Sequence, residues 1–400
     1  MLTLHGAQGP RRGSDLNELG IIHDGALLVR DGIVQQVGPS RRVENLAEAR
    51  DAVEVSAVGR VIMPGFVDSH THLLSPPPDA GEAELKAAAS IVRTSSAKRL
   101  AARARKHLEA MARHGTTTVE VKIGCCGADD SVDIKLLRVL AALRDNPLDV
   151  VSTILFHLPP DGAARQDAVE RVCGGLLPKV CGRRLARFAD VDLDGDGSCG
   201  PLFERFLHAA GEAGMGVKIH GISSAHGRAV ALANGHRAVS VDHVERADPE
   251  EALALGSFGG VATLLPSSAF RQGRSDAWGR NLIDAGAAIA LASDFNPQHT
   301  PALNLQTVIA LASMQMGLTA AEAISAVTIN AAYAAGCADR VGSLEVGKTA
   351  DLLILNIADY RELANRFGMN LVHLTMKRGA FIYKEGAVAP LDAEELKARW

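Results

Sequence analysis

VIMPGFVDSHTHLL, residues 61–74, is an almost unbroken apolar run that ends in two histidines, His70 and His72. Short apolar runs without polar alternation are typical of strands that are buried on both faces of a parallel sheet. Side chains two positions apart on a strand point to the same side. The stretch therefore predicts a buried strand near Val61–His70, whose end carries two imidazoles directed at one place.

Seven further segments of this kind follow, and stretches rich in Ala, Leu and Arg with helical spacing lie between them. The segments are Thr116–Ile123, Val150–His157, Phe188–Leu193, Val217–His220, Ala238–His243, Gly260–Leu265 and Ala288–Asp294. Eight strand–helix units over about 270 residues are close to the typical length of an α/β barrel, about 250 residues. A doubly wound sheet would more often carry a glycine-rich phosphate turn after its first strand, and the sequence has none there. The sequence predicts the α/β class, with a (β/α)8 TIM barrel over residues 61–341.

Both ends of the chain are predicted to form small antiparallel β-sheets. Residues 25–39, GALLVRDGIVQQVGP, are broken at Asp31-Gly32, and this dipeptide is a strong hairpin signal. The same pattern of short apolar runs broken by turn residues occurs in residues 342–356, GSLEVGKTADLLILN, and residues 376–388, MKRGAFIYKEGAV. We expect the two ends, residues 1–60 and 342–400, to form one small β-sandwich domain beside the barrel.

Composition argues against several classes of partner. Of the 400 residues, 47% are hydrophobic and 22% are charged, and the net charge is −4 at pH 7, which gives no electrostatic case for nucleic acid or an anionic membrane. The start lacks the features of a signal peptide, and no apolar stretch of about 18 residues is present. The six cysteines form no CxxC pair, so neither a zinc ribbon nor a disulfide framework is indicated. We expect a cytoplasmic homodimer, in which Cys125 and Cys126 pack as small hydrophobic side chains.

Ionisable side chains end several of the predicted strands. Functional residues of a TIM barrel lie at the C-terminal ends of its strands. Besides the first pair of histidines, His157, His220, His243 and Asp294 stand at such ends. A lone buried histidine is more often a hydrogen-bonded core residue, but five histidines and an aspartate at strand ends favour a metal centre. Three histidines and one carboxylate suit Zn²⁺ or Fe²⁺.

A metal centre of this composition indicates hydrolytic chemistry, because such an ion lowers the pKa of water bound to it to about 7. We expect Asp294 to accept a proton from that water and His243 to donate a hydrogen bond to the carbonyl oxygen as negative charge develops there. The expected reaction is attack on a carbonyl or amidine carbon. A second metal is not expected, since residues 187–197, RFADVDLDGDG, contain no lysine that could be carbamylated into a bridging ligand. The acidic residues of that segment are Asp192, Asp194 and Asp196. They either contribute to a metal site or lie in a solvated turn, and the sequence DGDG favours the turn.

Several pieces of the chain, from about residue 20 to about residue 385, resemble the amidohydrolase superfamily and, within it, the imidazolonepropionase family. The matching pieces are PGFVDSHTH, GTTTVEVK, KIH, DH, SDFNP, TINAAYAAG and GSLEVGKTADLLIL. The resemblance implies a barrel with a β-sandwich built from both chain ends, and one Zn²⁺ or Fe²⁺ ion. The implied ligands of that ion are His70, His72, His220 and Asp294. The resemblance also implies that His243 assists hydrolysis and that His157 contacts the substrate, and Asn296 of the DFNP piece is a further candidate substrate contact.

The chain differs from this family at positions where the family's residues contact the substrate. The family carries an arginine after the His-x-His motif, and here residues 73–85 read LLSPPPDAGEAEL. The family has a Ser-Gly-Tyr-Gly turn after the second strand, and here the chain reads IGCCG. Ser223 stands where the family has a glutamate that handles protons. Arg93 either replaces the missing cation or lies on a helix surface, and the sequence leaves both interpretations open.

We therefore predict a metal-dependent hydrolase that opens a C–N bond of a small cyclic amide of the imidazolone, hydantoin or lactam type. The altered substrate contacts favour a ring related to imidazolonepropionate but different from it. True imidazolonepropionase activity is the alternative. A heterocycle aminohydrolase (deaminase) is disfavoured by Ser223, because that chemistry usually wants a glutamate at this place. A non-catalytic homologue is disfavoured because the candidate ligands are all kept.

Overall fold

The computed structural model describes residues 1–74, 82–124, 130–144, 147–159, 162–193, 200–221, 228–273 and 278–386 of the chain. The expectations for five residues lie outside the described ranges: Cys125, Cys126, Asp194, Asp196 and Ser223. Within those ranges, no helix is long and apolar enough to cross a membrane.

The strands of the described residues, in chain order, are β1 (Gly25–Arg30), β2 (Ile33–Pro39), β3 (Val61–Pro64), β4 (Phe66–Asp68), β5 (Thr116–Ile123), β6 (Asp149–Phe156), β7 (Phe188–Asp192), β8 (Gly216–His220), β9 (Ser240–Asp242), β10 (Val261–Leu264), β11 (Ile289–Leu291), β12 (Leu352–Leu355), β13 (Val372–Lys377) and β14 (Ala380–Lys384).

The α-helices of these residues are α1 (Ser40–Glu44), α2 (Glu82–Thr94), α3 (Ala97–Arg113), α4 (Asp130–Ala141), α5 (Gly162–Arg171), α6 (Leu177–Gly182), α7 (Gly200–Glu212), α8 (Arg228–Gly235), α9 (Pro249–Gly256), α10 (Pro266–Arg271), α11 (Trp278–Asp284), α12 (Leu305–Met316), α13 (Ala320–Ala326), α14 (Ile329–Ala334) and α15 (Glu362–Asn365). Short 3₁₀ turns at Gly13–Asn17, Ala47–Ala49 and Val244–Arg246 and a π turn at Val172–Leu176 complete the helical structure.

The predicted barrel is confirmed. Strands β4 to β11 form one eight-stranded sheet in which sequential strands are neighbours, and every pair is parallel. The two ends of this sheet meet at a parallel bridge between Thr71 and Phe295. There the amide of His72 donates to the carbonyl of Phe295 at 2.8 Å, and the amide of Asp294 donates to the carbonyl of His70 at 3.2 Å. Closure of the barrel therefore brings the ends of the first and last strands together.

The prediction of one strand over Val61–His70 is wrong in its first half. Residues Val61–Pro64 form β3, which pairs antiparallel with β12 outside the barrel, and the barrel strand begins at Phe66. The chain passes between the two sheets at Gly65, where a Cβ atom would lie 2.3 Å from the side chain of Thr117. Both strands are buried, so an unbroken apolar run gives no signal that the chain changes sheets.

The chain ends form two small antiparallel sheets. The predicted hairpin is confirmed: β1 pairs with β2 around Asp31 and Gly32, whose φ angles of 52° and 76° suit a type I′ turn. The second sheet has the order β14-β13-β12-β3, and a bridge from Ile33 to Thr349 links the hairpin to the C-terminal part of the chain. The division into domains at residues 60 and 342 stays a prediction, and the pairing of β3 favours moving its first boundary to Gly65.

Gly115, at the turn between α3 and β5, offers a test of the junction between the barrel and the smaller sheets. Its φ is +97°, and a Cβ atom there would lie 2.8 Å from Leu353 and 3.0 Å from Phe66. Gly59 also has a positive φ, +72°, but nothing lies within 4 Å of its Cβ position. We expect both glycine-to-alanine variants to lose about 1 kcal/mol of unfolding free energy to backbone strain, and Gly115→Ala to lose a further 1–3 kcal/mol or so through overpacking.

Urea unfolding of the two variants measures this difference. Equal losses in Gly115→Ala and Gly59→Ala would show that the close approach to Leu353 and Phe66 has no energetic weight.

Candidate metal centre

Three ligand atoms converge where the barrel closes. The Nε2 atoms of His70 and His72 lie 3.3 Å apart, and Oδ1 of Asp294 lies 3.8 Å from the first and 3.9 Å from the second. Donor atoms that surround one Zn²⁺ ion at bond lengths of about 2.0–2.1 Å in a tetrahedron are separated by about 3.4 Å. The observed separations are therefore those of a divalent metal site.

His220, at the end of β8, adds a third imidazole. His70, His72 and His220 form one triplet whose ligand atoms lie within 4.8 Å of one another, and His70, His243 and Asp294 form a second. The ring centroids of His70 and His220 are 4.9 Å apart. The two triplets share His70, so the structure brings together the four sequence-predicted ligands and His243 in one cluster at the C-terminal ends of the barrel strands.

The three histidines of this cluster, His70, His72 and His220, are held neutral. Burial lowers the pKa of His70, His72 and His220 well below the usual histidine value, and their mutual repulsion as cations adds to this effect. An imidazole must be neutral to bind a metal. Nδ1 of His72 is also buried without a hydrogen-bond partner among the described residues. Donor chemistry, spacing and protonation thus fit a divalent ion.

Carboxylates behind the cluster orient these rings. Nδ1 of His70 donates to Oδ2 of Asp242 at 2.8 Å, which leaves its Nε2 directed at His72 and Asp294. Nδ1 of His220 lies 3.7 Å from Oδ2 of Asp190. The first contact is a hydrogen bond, which fixes the tautomer of His70 and raises the basicity of its Nε2, whereas the second is an electrostatic contact beyond hydrogen-bond distance.

Lys122 lies between those two carboxylates. Its Nζ is 2.5 Å from Oδ2 of Asp190 and 2.8 Å from Oδ2 of Asp242, and all three side chains are fully buried. Burial opposes the charge on Lys122, but Asp190 and Asp242 outweigh it and raise the pKa of the lysine well above its usual value. Burial likewise opposes the charge on Asp242, and the Lys122 ammonium nevertheless holds the pKa of this carboxyl well below its usual value.

His243 and Asp294 both have left-handed backbone conformations, with φ of 63° and 54°. Such conformations are costly for residues other than glycine and cluster at functional sites. Nδ1 of His243 lies 3.1 Å from Oε1 of the buried Glu245. Burial lowers the pKa of His243, but the charge and hydrogen bond of Glu245, with Asp294 and Asp242, raise it to about 9. His243 is therefore a hydrogen-bond donor facing the ligand cluster.

The other sequence-predicted site residues have different positions. Both ring nitrogens of His157 are buried without a partner among the described residues, and its Nδ1 lies 3.7 Å from Asp192, beside His220. The prediction that Asp192 lies in a solvated turn is wrong, because the pairing of Asp192 with His220 extends the buried strand β7 to this residue. Asn296 is buried, and its side-chain oxygen accepts from the amides of Gln298 at 2.9 Å and His299 at 3.1 Å.

Arg93 is exposed on α2, and its carbonyl accepts from Lys135 at 3.1 Å. Contact of Arg93 with substrate stays a prediction, as it does for Asn296, whose side chain is engaged in a turn. His157 is the one of the three whose polar atoms face the neighbourhood of the cluster with their hydrogen-bonding capacity unused among the described residues.

Sequence reasoning missed the charged residues beneath the histidines: Glu120, Lys122, Asp190, Lys218 and Asp242. A signal was present, because charged residues inside otherwise apolar strands are rarely buried without a partner. Glu120 and Lys122 are two positions apart on β5, and Lys218 and His220 are two positions apart on β8. Side chains two positions apart on a strand point to the same side, so each pair lies on the side of its strand that carries the site.

Comparison with known proteins gives a consistent picture. The model of the amidohydrolase family matches residues 61–382. An imidazolonepropionase of Brevibacillus brevis is 33% identical over 96% of this chain and 96% of its own, and one of Symbiobacterium thermophilum is 37% identical over 96% and 95%. Among solved structures, the guanine deaminase of E. coli superposes with a TM-score of 0.72 at 16% identity, over 96% of this chain and 97% of that one. The last similarity shows the fold alone.

Removal of a candidate ligand should remove the metal. We expect purified protein to contain about one equivalent of zinc or iron per chain, and His70→Ala or His220→Ala to lose both metal and activity because three ligands without the fourth bind weakly. Elemental analysis measures this, and His208→Ala is the matched control, since His208 is exposed on α7 beside Glu212. Two tightly bound ions in the unaltered chain, or full metal content in the His70 variant, would contradict the mononuclear centre.

Proposed function

We propose that this chain, which belongs to the amidohydrolase family, is a metal-dependent hydrolase that opens a C–N bond of a small cyclic amide. The observation that carries the proposal is the convergence of buried, neutral His70, His72 and His220 with Asp294 at the closure of the barrel. The family and its imidazolonepropionase relatives support the same reaction class.

We propose one ion, Zn²⁺ or Fe²⁺, with His70, His72, His220 and Asp294 as its ligands. When bound, such an ion polarises a carbonyl group and lowers the pKa of water to about 7. The chain supplies the orientation: Asp242 holds the imidazole of His70 by a hydrogen bond, and the hydroxyl of Thr300 donates to Oδ2 of Asp294 at 3.4 Å.

Asp294 and His243 divide the proton chemistry. Asp294 accepts a proton from the attacking water and delivers it to the ring nitrogen that leaves as the C–N bond breaks. His243, held by Glu245 as a charged donor, binds the carbonyl oxygen as negative charge develops there. Their backbone strain is consistent with side chains fixed in advance of the reaction, because strained residues persist only where the surrounding structure holds them.

The substrate of this proposal is a five- or six-membered cyclic amide whose ring resembles imidazolone and whose substituent differs from propionate. The relatives support the ring, because the chain matches them over nearly its whole length. The sequence supports a different substituent, since the positions at which the family holds a carboxylate have changed. His157, with both ring nitrogens available among the described residues, is proposed to contact the ring.

Imidazolonepropionate itself is the second candidate substrate, and the 33–37% identity to imidazolonepropionases favours it. In that case Arg93 or another cation replaces the missing arginine, and Ser223 replaces the glutamate. A deaminase activity has in its favour a fold shared with guanine, adenosine and 5-methylcytosine deaminases at 16–20% identity, which shows the fold alone.

The homodimer and the cytoplasmic location remain proposals as well. Sedimentation of the purified chain measures the first, and fractionation of the producing cell measures the second. A monomer in sedimentation would remove the dimer from the proposal without affecting the chemistry.

Asp294 should matter more for turnover than for substrate binding. We expect Asp294→Asn to lower kcat by about 10²-fold or more, the usual scale for the loss of a general base, when it is assayed on the best substrate at equal metal content. Asp339→Asn, at an exposed aspartate beside Arg340, is the control and should keep full activity. A metal-loaded Asp294→Asn variant with unchanged kcat would assign the proton transfer to another group.

Imidazolonepropionate should be a poor substrate. An arginine–carboxylate pair is a strong, charge-assisted contact, and loss of a buried one costs about 2–5 kcal/mol, or roughly 30- to 5,000-fold in kcat/KM. We therefore expect a cyclic amide with another substituent to be hydrolysed faster in a substrate panel that records ring opening and ammonia release separately. A kcat/KM near about 10⁵ M⁻¹s⁻¹ on imidazolonepropionate, well inside the ordinary enzyme range, would instead support the second candidate and make Arg93 the first residue to substitute.

A further inference from the structure

We propose that the ammonium group of Lys122 fills a second, latent metal-binding position beneath the histidine cluster and thereby limits the protein to one divalent ion. The inference rests on the proposed metal centre. The second position is built from Asp190, Asp242 and Glu120, and it lies on the strand side of the rings that hold the first ion.

The geometry around Lys122 is that of a cation site. Its Nζ lies 2.5 Å from Asp190 Oδ2, 2.8 Å from Asp242 Oδ2 and 3.4 Å from Glu120 Oε1, and each of these side chains is fully buried. Three strands, β5, β7 and β9, therefore direct carboxylates at one positively charged atom. A lysine ammonium is a compact point charge, so it occupies the place that a small metal ion would otherwise take.

The donors around this position form a ligand set without the lysine. Ligand atoms of Asp190 and Asp242 lie within 4.8 Å of one another, and Glu120 faces the same point from β5. Carboxylates are ligands that Zn²⁺ and Mn²⁺ accept. In addition, Oδ1 of Asp190 is a buried polar atom without a hydrogen-bond partner among the described residues. Unused donor capacity is therefore present where the second ion would bind.

Charge balance explains why the lysine and a second ion exclude each other. The buried acidic groups are Glu120, Asp190 and Asp242, and Lys218 neutralises Glu120 from the other side. Lys122 is the remaining buried cation of this group and compensates Asp190 and Asp242. Two buried carboxylates without a cation are strongly unfavourable, so loss of the ammonium makes uptake of a divalent ion favourable. With the ammonium present, that ion meets both a filled site and a like charge.

Replacement of Lys122 by methionine tests the proposal. The side chain keeps about the same length and loses its charge. We expect the metal content measured by elemental analysis after dialysis against Zn²⁺ to rise from about one ion per chain to about two, and anomalous scattering from crystals of the variant to place the second ion between Asp190 and Asp242.

Two control variants separate this effect from a general change in the core. Lys122→Arg keeps the charge and should keep one ion. Lys218→Met removes the other fully buried lysine, whose Nζ pairs with Glu120 and lies 4.9 Å above the ring of Phe188, and it should also keep one ion. A second ion in Lys218→Met would show that loss of any buried charge suffices and would overturn the assignment to Lys122.

Folding of the variant is itself informative. If Lys122→Met is unfolded without metal, the proposal requires that Zn²⁺ restore the fold, seen by circular dichroism, with two ions bound. A Lys122→Met chain that folds with one ion or none, or that stays unfolded with Zn²⁺ present, overturns the inference. An unaltered chain without bound metal would overturn the proposed function, whereas one ion in both chains would overturn only the role of Lys122.

Discussion

The pairing of Lys122 with Asp190 and Asp242 is the constraint on which the rest of the site depends. All three groups are fully buried, and Nζ lies 2.5 Å and 2.8 Å from the two carboxylates. Charges in so apolar a surrounding are tolerated only when they are paired and hydrogen-bonded. Strands β5, β7 and β9 must therefore keep their register. The same register positions Asp242 against His70 and Asp190 near His220.

The barrel strands, their closing contact and the loops that follow them each position different groups of the site. The parallel strands place ligand atoms at one rim, since their C-terminal ends all open to the same side. The closing contact between the first and last strands sets Asp294 beside His70 and His72. The loops then add groups with strained backbone, as at His243. Side chains that the barrel holds in place suit a reaction that depends on placing water, a proton acceptor and a hydrogen-bond donor around one carbon.

The proposed function combines the hydrolytic centre expected of the family with altered surroundings. Its candidate ligands coincide with the ends of the strands, which the fold holds in place. The positions at which we expect the sequence to depart from the imidazolonepropionase family, among them Ser223, follow predicted strands in the amino-acid sequence. Connections tolerate substitution better than buried strands because few packing contacts depend on them. Substrate preference can therefore change here while the reaction class is kept.

The sequence by itself determined the eight parallel strands, the hairpin at Asp31-Gly32 and the gathering of His70, His72, His220, His243 and Asp294, because periodicity, turn chemistry and strand ends are local signals. Only the tertiary structure decided that the run from Val61 divides between two sheets at Gly65, since both halves are equally buried and apolar. Only it decided that Lys122 on β5 meets Asp190 on β7 and Asp242 on β9. These contacts join residues 68 and 120 positions apart, so they depend on barrel closure and strand register, and neither leaves a mark in the local pattern of residues.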